Sequence, residues 1–260
     1  AWMCTFKGKR TIGAFKTLEL EDIKTVYLLH GMHGDHNSWL NGSAIGRYAR
    51  ARGLAVVMPA VGNSFYANQK HGCRYFDYVA HELPDYIGKL LPFITKKREK
   101  TFVAGLSMGG YGAIKVALRN PDRFSAAAGL SGCLDMSVDI KATDDGWDNI
   151  CICNWGEDYM TSLPGSEEDL LHLVDTFPAD KPKPRIYVAC GTEDFLYDQN
   201  ITFKNHVAGK GFDFLRDFPC LFSCDELGGL NTIHQQPQLI RFKGRVQKAV
   251  AFLVLVILQL

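Results

Sequence analysis

Charge of one sign is what this chain of 260 residues has least of. Its 29 lysines and arginines stand against 28 aspartates and glutamates, for a formal net charge of +1. So balanced a surface sets up no field that would gather nucleic acid or an acidic membrane, and neither is expected as a partner. Apolar runs of membrane length are missing as well: Ala249–Leu258 falls well short of the roughly 20 residues a spanning helix needs. There is no internal repeat, no low-complexity linker and no legible signal peptide, the last of small weight in a chain whose first residue is Ala1. Cysteine is plentiful but lacks metal or disulfide spacing. Cys4, Cys73, Cys133, Cys151, Cys153, Cys190, Cys220 and Cys224 are dispersed, several of them inside apolar runs such as Tyr187-Val188-Ala189-Cys190. That pattern predicts reduced, buried thiols and a cytoplasmic protein. Cys151-Ile152-Cys153 has no second pair at zinc spacing, so neither metal nor organic cofactor is expected.

What is present is ordinary globular material, 47% hydrophobic, in a length that suits one α/β domain, 1–260, with a sizeable core. Strand-like runs alternate with helix-like ones, which predicts a mostly parallel sheet with helices on both faces. The strands are read as Thr25–His30, Ala55–Pro59, Thr101–Gly105, Ala126–Ser131 and Arg185–Cys190, with a weaker one near Phe212–Phe214. Helices are read over Ala44–Arg52, Tyr75–Thr95, Tyr111–Arg119, Glu167–Asp175 and Ile201–Lys210. Residues 132–184, the longest interval without a strand, read as a lid or pocket wall. They carry Trp147, Trp155, Tyr159 and an exit rich in proline.

Three motifs fall at the carboxyl ends of these strands, where such sheets bind ligands. The first is Gly105-Leu106-Ser107-Met108-Gly109, flanked by a short apolar strand and a helix of small and apolar residues. Strand, tight turn and helix in that order match a G-x-S-x-G nucleophile elbow, with glycines where a Cβ would collide. The second is His30-Gly31-Met32-His33-Gly34-Asp35, directly after Val26-Tyr27-Leu28-Leu29. A His-Gly turn there fits an oxyanion loop, whose two backbone donors would be Met32 and Met108. His33, His36 and Asp35 could alternatively ligate a metal. The third is Cys190-Gly191-Thr192-Glu193-Asp194-Phe195-Leu196-Tyr197-Asp198. A carboxylate after a late strand suits a triad acid, and Asp194 is chosen, with Asp198 and Glu193 in reserve. The alternative for Asp194 is a plain helix cap.

These residues resemble the esterase D-like α/β-hydrolases, a group that includes tributyrin esterases and S-formylglutathione hydrolases. Mycolyltransferases and feruloyl esterases are more distant members. The likeness to the tributyrin esterase branch rests on residues 27–39, Val57-Met58-Pro59, Glu82-Leu83-Pro84, residues 97–102, the elbow through Ala113, and Gly191-Thr192-Glu193-Asp194-Phe195-Leu196. It covers about Lys24 to Phe214. It implies the α/β-hydrolase fold and a serine carboxylesterase for short-chain acyl esters, with Ser107 as nucleophile, Asp194 as acid and Met32 and Met108 in the oxyanion hole. The implied partner is a small acyl ester. A thioester hydrolase of the S-formylglutathione type, and a feruloyl or acetyl esterase acting on plant polysaccharide, stay open. So does a member impaired in catalysis.

The last reading has a specific reason. The family carries its general base, a histidine, a short way after the strand at Gly211–Phe214, near where this chain has Ser223. Downstream only His234 remains, in the polar, proline-bounded stretch Asn231–Pro237, and it is the candidate base. His71, His81, His172 and His206 lie upstream of that strand and are set aside, the first three because they would break the Ser-Asp-His chain order, and His30 reads as structural. The atypical tail, 215–260, also fits a shifted reading frame. Codons for Ser223-Cys224 read one base later can supply a histidine at the family position.

Overall fold

The computed structural model describes residues 2–4, 23–136 and 146–214. Within them the strands are β1 (Trp2–Cys4), β2 (Thr25–Leu29), β3 (Ala55–Val57), β4 (Thr101–Leu106), β5 (Ala126–Leu130) and β6 (Arg185–Ala189). They form one sheet in the order β1-β3-β2-β4-β5-β6. All pairings are parallel except that of β1 with β3, whose register sets Trp2 opposite Val57 and Cys4 opposite Ala55. The antiparallel edge strand β1 is absent from the sequence reading. Three residues are too few to carry an alternation, and only pairing with β3 defines them.

The central strands are buried on both faces, which is why they read as continuous apolar runs. Side-chain alternation then divides the core in two. Tyr27, Leu29, Val57, Val103, Ala127, Ile186 and Val188 face one layer. Val26, Leu28, Val56, Phe102, Ala104, Ala128, Tyr187 and Ala189 face the other. The second layer is covered by α1 (Ser38–Gly42) and α2 (Ile45–Arg52), through Trp39, Ile45 and Ala49.

The first layer takes a helical run over residues 75–90, composed of α3 (Tyr75–Asp77), a π-helical segment Tyr78–Glu82 and α4 (Leu83–Leu90). Pro84 lacks an N–H for the carbonyl one turn before it, and the wider π turn absorbs that lost bond. The expected helix Tyr75–Thr95 is therefore corrected at its end. Leu91 precedes Pro92, which disfavours helical geometry, and its φ and ψ are −126° and 79°. Beyond it Ile94 bridges Ile23.

Buried in the same layer is α5 (Met108–Arg119), which begins directly after Ser107. Next come α6 (Trp147–Trp155), α7 (Tyr159–Ser162), α8 (Leu170–Asp175) and α9 (Tyr197–Val207). Helix α8 starts three residues later than expected because Asp169 caps it, accepting the N–H groups of Leu171 and His172. Helix α9 starts a turn earlier than expected. The weak strand near Phe212–Phe214 is corrected to one bridge, Phe214 with Ile186, reinforced by the Ile186 N–H on the Asp213 carbonyl. No helix among the described residues is long and apolar enough to cross a membrane.

The chain leaves β2 toward one side for β3 and returns across it for β4. The loops after β2 and β4 therefore part at the carboxyl edge of neighbouring strands. This switch point is the natural crevice of such a sheet.

Candidate active site

Ser107 sits at that switch point, between β4 and α5, with φ 55° and ψ −119°. A side chain held there costs of order 1–3 kcal/mol and persists only where its surroundings dictate it. They do. The Ser107 N–H donates to the Leu130 carbonyl at 2.9 Å, and its own carbonyl accepts the Tyr111 N–H at 3.1 Å. A Cβ on Gly105 would stand 2.2 Å from the Gly109 oxygen, and one on Gly109 would stand 2.4 Å from the Leu29 oxygen. The first turn of α5 thus lies directly on the ends of β4 and β2, and only glycine allows it.

The turn after β2 reaches the same place: a Cβ on Gly31 would be 3.5 Å from the Ser107 Cβ. The Gly34 N–H donates to the Gly31 carbonyl at 3.1 Å, with His33 at φ 61° as the third residue of the turn. Its N–H donates to Asn63 Oδ1 at 2.8 Å, and Asn63 in turn has its carbonyl held by Asn154 Nδ2 at 2.9 Å. Neither the Met32 nor the Met108 N–H is spent on a backbone carbonyl in a loop or cap among the described residues.

His30 is buried and structural, as expected. Its Nε2 accepts the Val61 N–H at 3.1 Å and Nδ1 lies 2.8 Å from the Gly31 carbonyl, which defines the neutral ring protonated at Nδ1. Burial lowers its pKa below the ordinary value of 6.5, more than the Gly31 carbonyl raises it. The residues weighed as metal ligands are engaged locally. Asp35 Oδ1 accepts the Asn37 N–H at 2.7 Å, the Asp35 N–H meets Ser38 Oγ at 2.8 Å, and His36 Nε2 lies 3.1 Å from Asn37 Nδ2.

After β6 the loop folds on itself. The Asp194 N–H donates to the Gly191 carbonyl at 3.0 Å, and Asp194 Oδ1 accepts the Leu196 N–H at 3.0 Å just before α9. Asp194 is half-buried, whereas Glu193 and Asp198, the reserves, are exposed. One strand, β5, separates β6 from β4, so the loops bearing Asp194 and Ser107 start roughly 10 Å apart. A histidine ring with a hydrogen bond at each nitrogen fits such a gap. His234 lies outside the described residues, as do the rest of 215–260 and the frame-shift reading attached to them. The described part of 132–184 contributes α6, α7 and α8. Trp147 and Trp155 of α6 meet Phe65 edge-on and tilted, with ring centroids 5.6 and 5.3 Å from it.

Sequence reasoning missed an ion pair behind this wall. Lys115 of α5 is fully buried, its Nζ 2.6 Å from Glu168 Oε2 and 3.1 Å from the Phe65 carbonyl. The same carboxylate oxygen receives the Tyr111 hydroxyl at 2.9 Å and Trp155 Nε1 at 3.2 Å. Burial opposes ionisation of Glu168, but the Lys115 charge and these donors outweigh it and hold the carboxyl below its ordinary range. The available signal was a lysine one turn after Tyr111, amid the small and apolar residues of the helix before Arg119.

Known proteins share this arrangement of elements. Residues 8–210 match a family model described as "Putative esterase". An acetyl esterase of Caldicellulosiruptor saccharolyticus is 35% identical over 205 residues, 76% of each chain. An S-formylglutathione hydrolase of Bos taurus is 25% identical over 213 residues, 70% of this chain and 69% of its own. Among solved structures, FphF, a fluorophosphonate-binding serine hydrolase of Staphylococcus aureus, superposes with a TM-score of 0.71. It is 29% identical, covering 96% of this chain and 90% of its own.

Proposed function

The chain belongs to the esterase family and is a serine esterase of the α/β-hydrolase fold, and on that premise we propose that Ser107 is its nucleophile. The observation that carries this is the strained elbow: φ 55° at Ser107, with the Gly31 turn against its side chain. The Ser107 hydroxyl attacks the ester carbonyl, and the N–H groups of Met32 and Met108 receive the oxyanion. A histidine takes the hydroxyl proton and returns it to the leaving alcohol; water then cleaves the acyl-enzyme by the same route. His234 is the candidate for that base, following Ser107 and Asp194 in the expected chain order. Asp194 orients the ring through Oδ2 while Oδ1 holds the Leu196 N–H. No metal or organic cofactor enters these steps.

Short acyl esters are the proposed substrates, supported by the likeness to an acetyl esterase. A thioester of the S-formylglutathione type is the second reading, supported by the bovine relative. In this reading 1–260 is one domain, with 132–184 as pocket wall. The described thiols Cys73, Cys133, Cys151 and Cys153, none of them in a disulfide, support a cytoplasmic setting.

The test is hydrolysis of p-nitrophenyl acetate and butyrate by the chain and its Ser107→Ala variant. Turnover that disappears with Ser107 is expected, higher on acetate than on butyrate. A folded chain with no Ser107-dependent turnover would overturn the reading and make this an impaired member.

A further inference from the structure

A buried ion pair is a poor stabiliser, since apolar side chains of the same volume usually do as well. Its value here lies in what it holds. Lys115 reaches past Glu168 to the carbonyl of Phe65. Phe65 and the next residue, Tyr66, have φ of 50° and 53°, left-handed geometry that bulky side chains adopt only under compulsion. Besides Lys115, two contacts impose it. The Tyr66 N–H donates to Ser64 Oγ at 3.1 Å, and the Tyr66 ring fills the space beside Gly112, where a Cβ would stand 2.3 Å from it.

This geometry delivers the Tyr66 hydroxyl to the carbonyl of His30, 2.8 Å away. His30 immediately precedes Gly31 and Met32. Its carbonyl oxygen, with that of Leu29, is one of the atoms that exclude a side chain from Gly109, at 2.7 Å. A continuous series of contacts therefore runs from Glu168 through Lys115, Phe65 and Tyr66 to the start of the turn beside Ser107.

We infer that Lys115 and Glu168 are positioning residues for the oxyanion turn. They lock Phe65 and Tyr66 in left-handed geometry, so that the Tyr66 hydroxyl fixes the His30 carbonyl and with it the direction of the Met32 N–H. The inference rests on the proposed role of Met32, and a peptide N–H is only as good a donor as its alignment with the developing charge.

Two variants of the full chain test it. Lys115→Met with Glu168→Gln removes the ion pair without stranding a buried charge, and Tyr66→Phe removes one hydroxyl. Amide hydrogen exchange of the peptide covering 30–34 reads the turn directly, whether or not the chain turns over substrate. Exchange there is expected to rise about tenfold or more in both variants, with α2 and α9 unchanged. On p-nitrophenyl acetate, kcat should fall about tenfold or more at nearly constant KM, and combining the variants should add little to either loss.

Wild-type exchange at 30–34 in folded Tyr66→Phe overturns the inference. So does a rise spread evenly over the molecule, which would mean plain destabilisation. Faster exchange confined to 30–34, in a chain without Ser107-dependent turnover, upholds this strut of contacts from Glu168 to His30 and overturns the esterase reading instead.

Discussion

A Cβ placed on Gly109 would stand 2.4 Å from the carbonyl oxygen of Leu29. The helix that follows Ser107 thus rests directly on the end of the neighbouring strand, and that contact brings the two loops of the candidate site together.

Gly109→Ala cannot be absorbed by a side-chain rotation, because the obstructing atoms are backbone. It should destabilise the chain by about 3 kcal/mol, the upper range for overpacking, and lower kcat as the elbow shifts from the Gly31 turn. Urea denaturation and ester hydrolysis check both. A variant of wild-type stability would contradict the packing described.

Asp194 has two candidate roles, and two substitutions separate them. Asp194→Asn keeps the oxygen that accepts the Leu196 N–H, so stability should hold while kcat falls about 10⁴-fold. Asp194→Ala should lose about 1 kcal/mol of stability in addition. If the asparagine variant keeps its rate, Asp194 is a cap and nothing more.

Lys115→Met alone strands the Glu168 carboxylate in the interior and should cost about 3–5 kcal/mol. Adding Glu168→Gln should recover much of that loss, because the amide oxygen still accepts from Tyr111 and Trp155. Denaturation midpoints of the two variants decide it, and equal midpoints would exclude a charged pair.

His30 makes stability depend on pH. Its folded pKa lies below the ordinary 6.5 because burial disfavours the charged ring. The unfolded chain therefore binds the proton more readily, and this contribution, complete above about pH 6.5, is lost as the pH falls through that value toward the folded pKa. Denaturation midpoints at pH 7.5 and 5.5 should show a smaller acid loss for His30→Gln than for the parent chain. An unchanged acid loss would assign it to other groups.

Among the described thiols, Cys73 is exposed and Cys133 and Cys151 are buried. Burial pushes the Cys151 thiol up to about 12 and Cys133 higher still. Iodoacetamide at neutral pH should modify Cys73 well before either, as peptide mapping by mass would show. Early labelling of Cys133 would mean that its layer opens readily.

The sequence by itself determined the parallel sheet, the elbow at Ser107 and the turn at Gly31–Met32. Each is a local pattern: buried parallel strands read as apolar runs, and glycine marks where backbones touch. It also marked Asp194, because a carboxylate after a late strand is visible without a partner. Tertiary structure decided the rest. Strand β1 exists only through its pairing with β3, whereas the π turn before Pro84 and the end of the helix before Pro92 are local, following from backbone sterics at proline. The strut from Glu168 to His30 joins residues 30, 66, 115 and 168, and no periodicity relates positions so far apart. Lysine and glutamate normally mark solvated surface. Only the packing of α5 against Phe65 takes Lys115 out of water, and there it must find the largely covered carboxylate of Glu168.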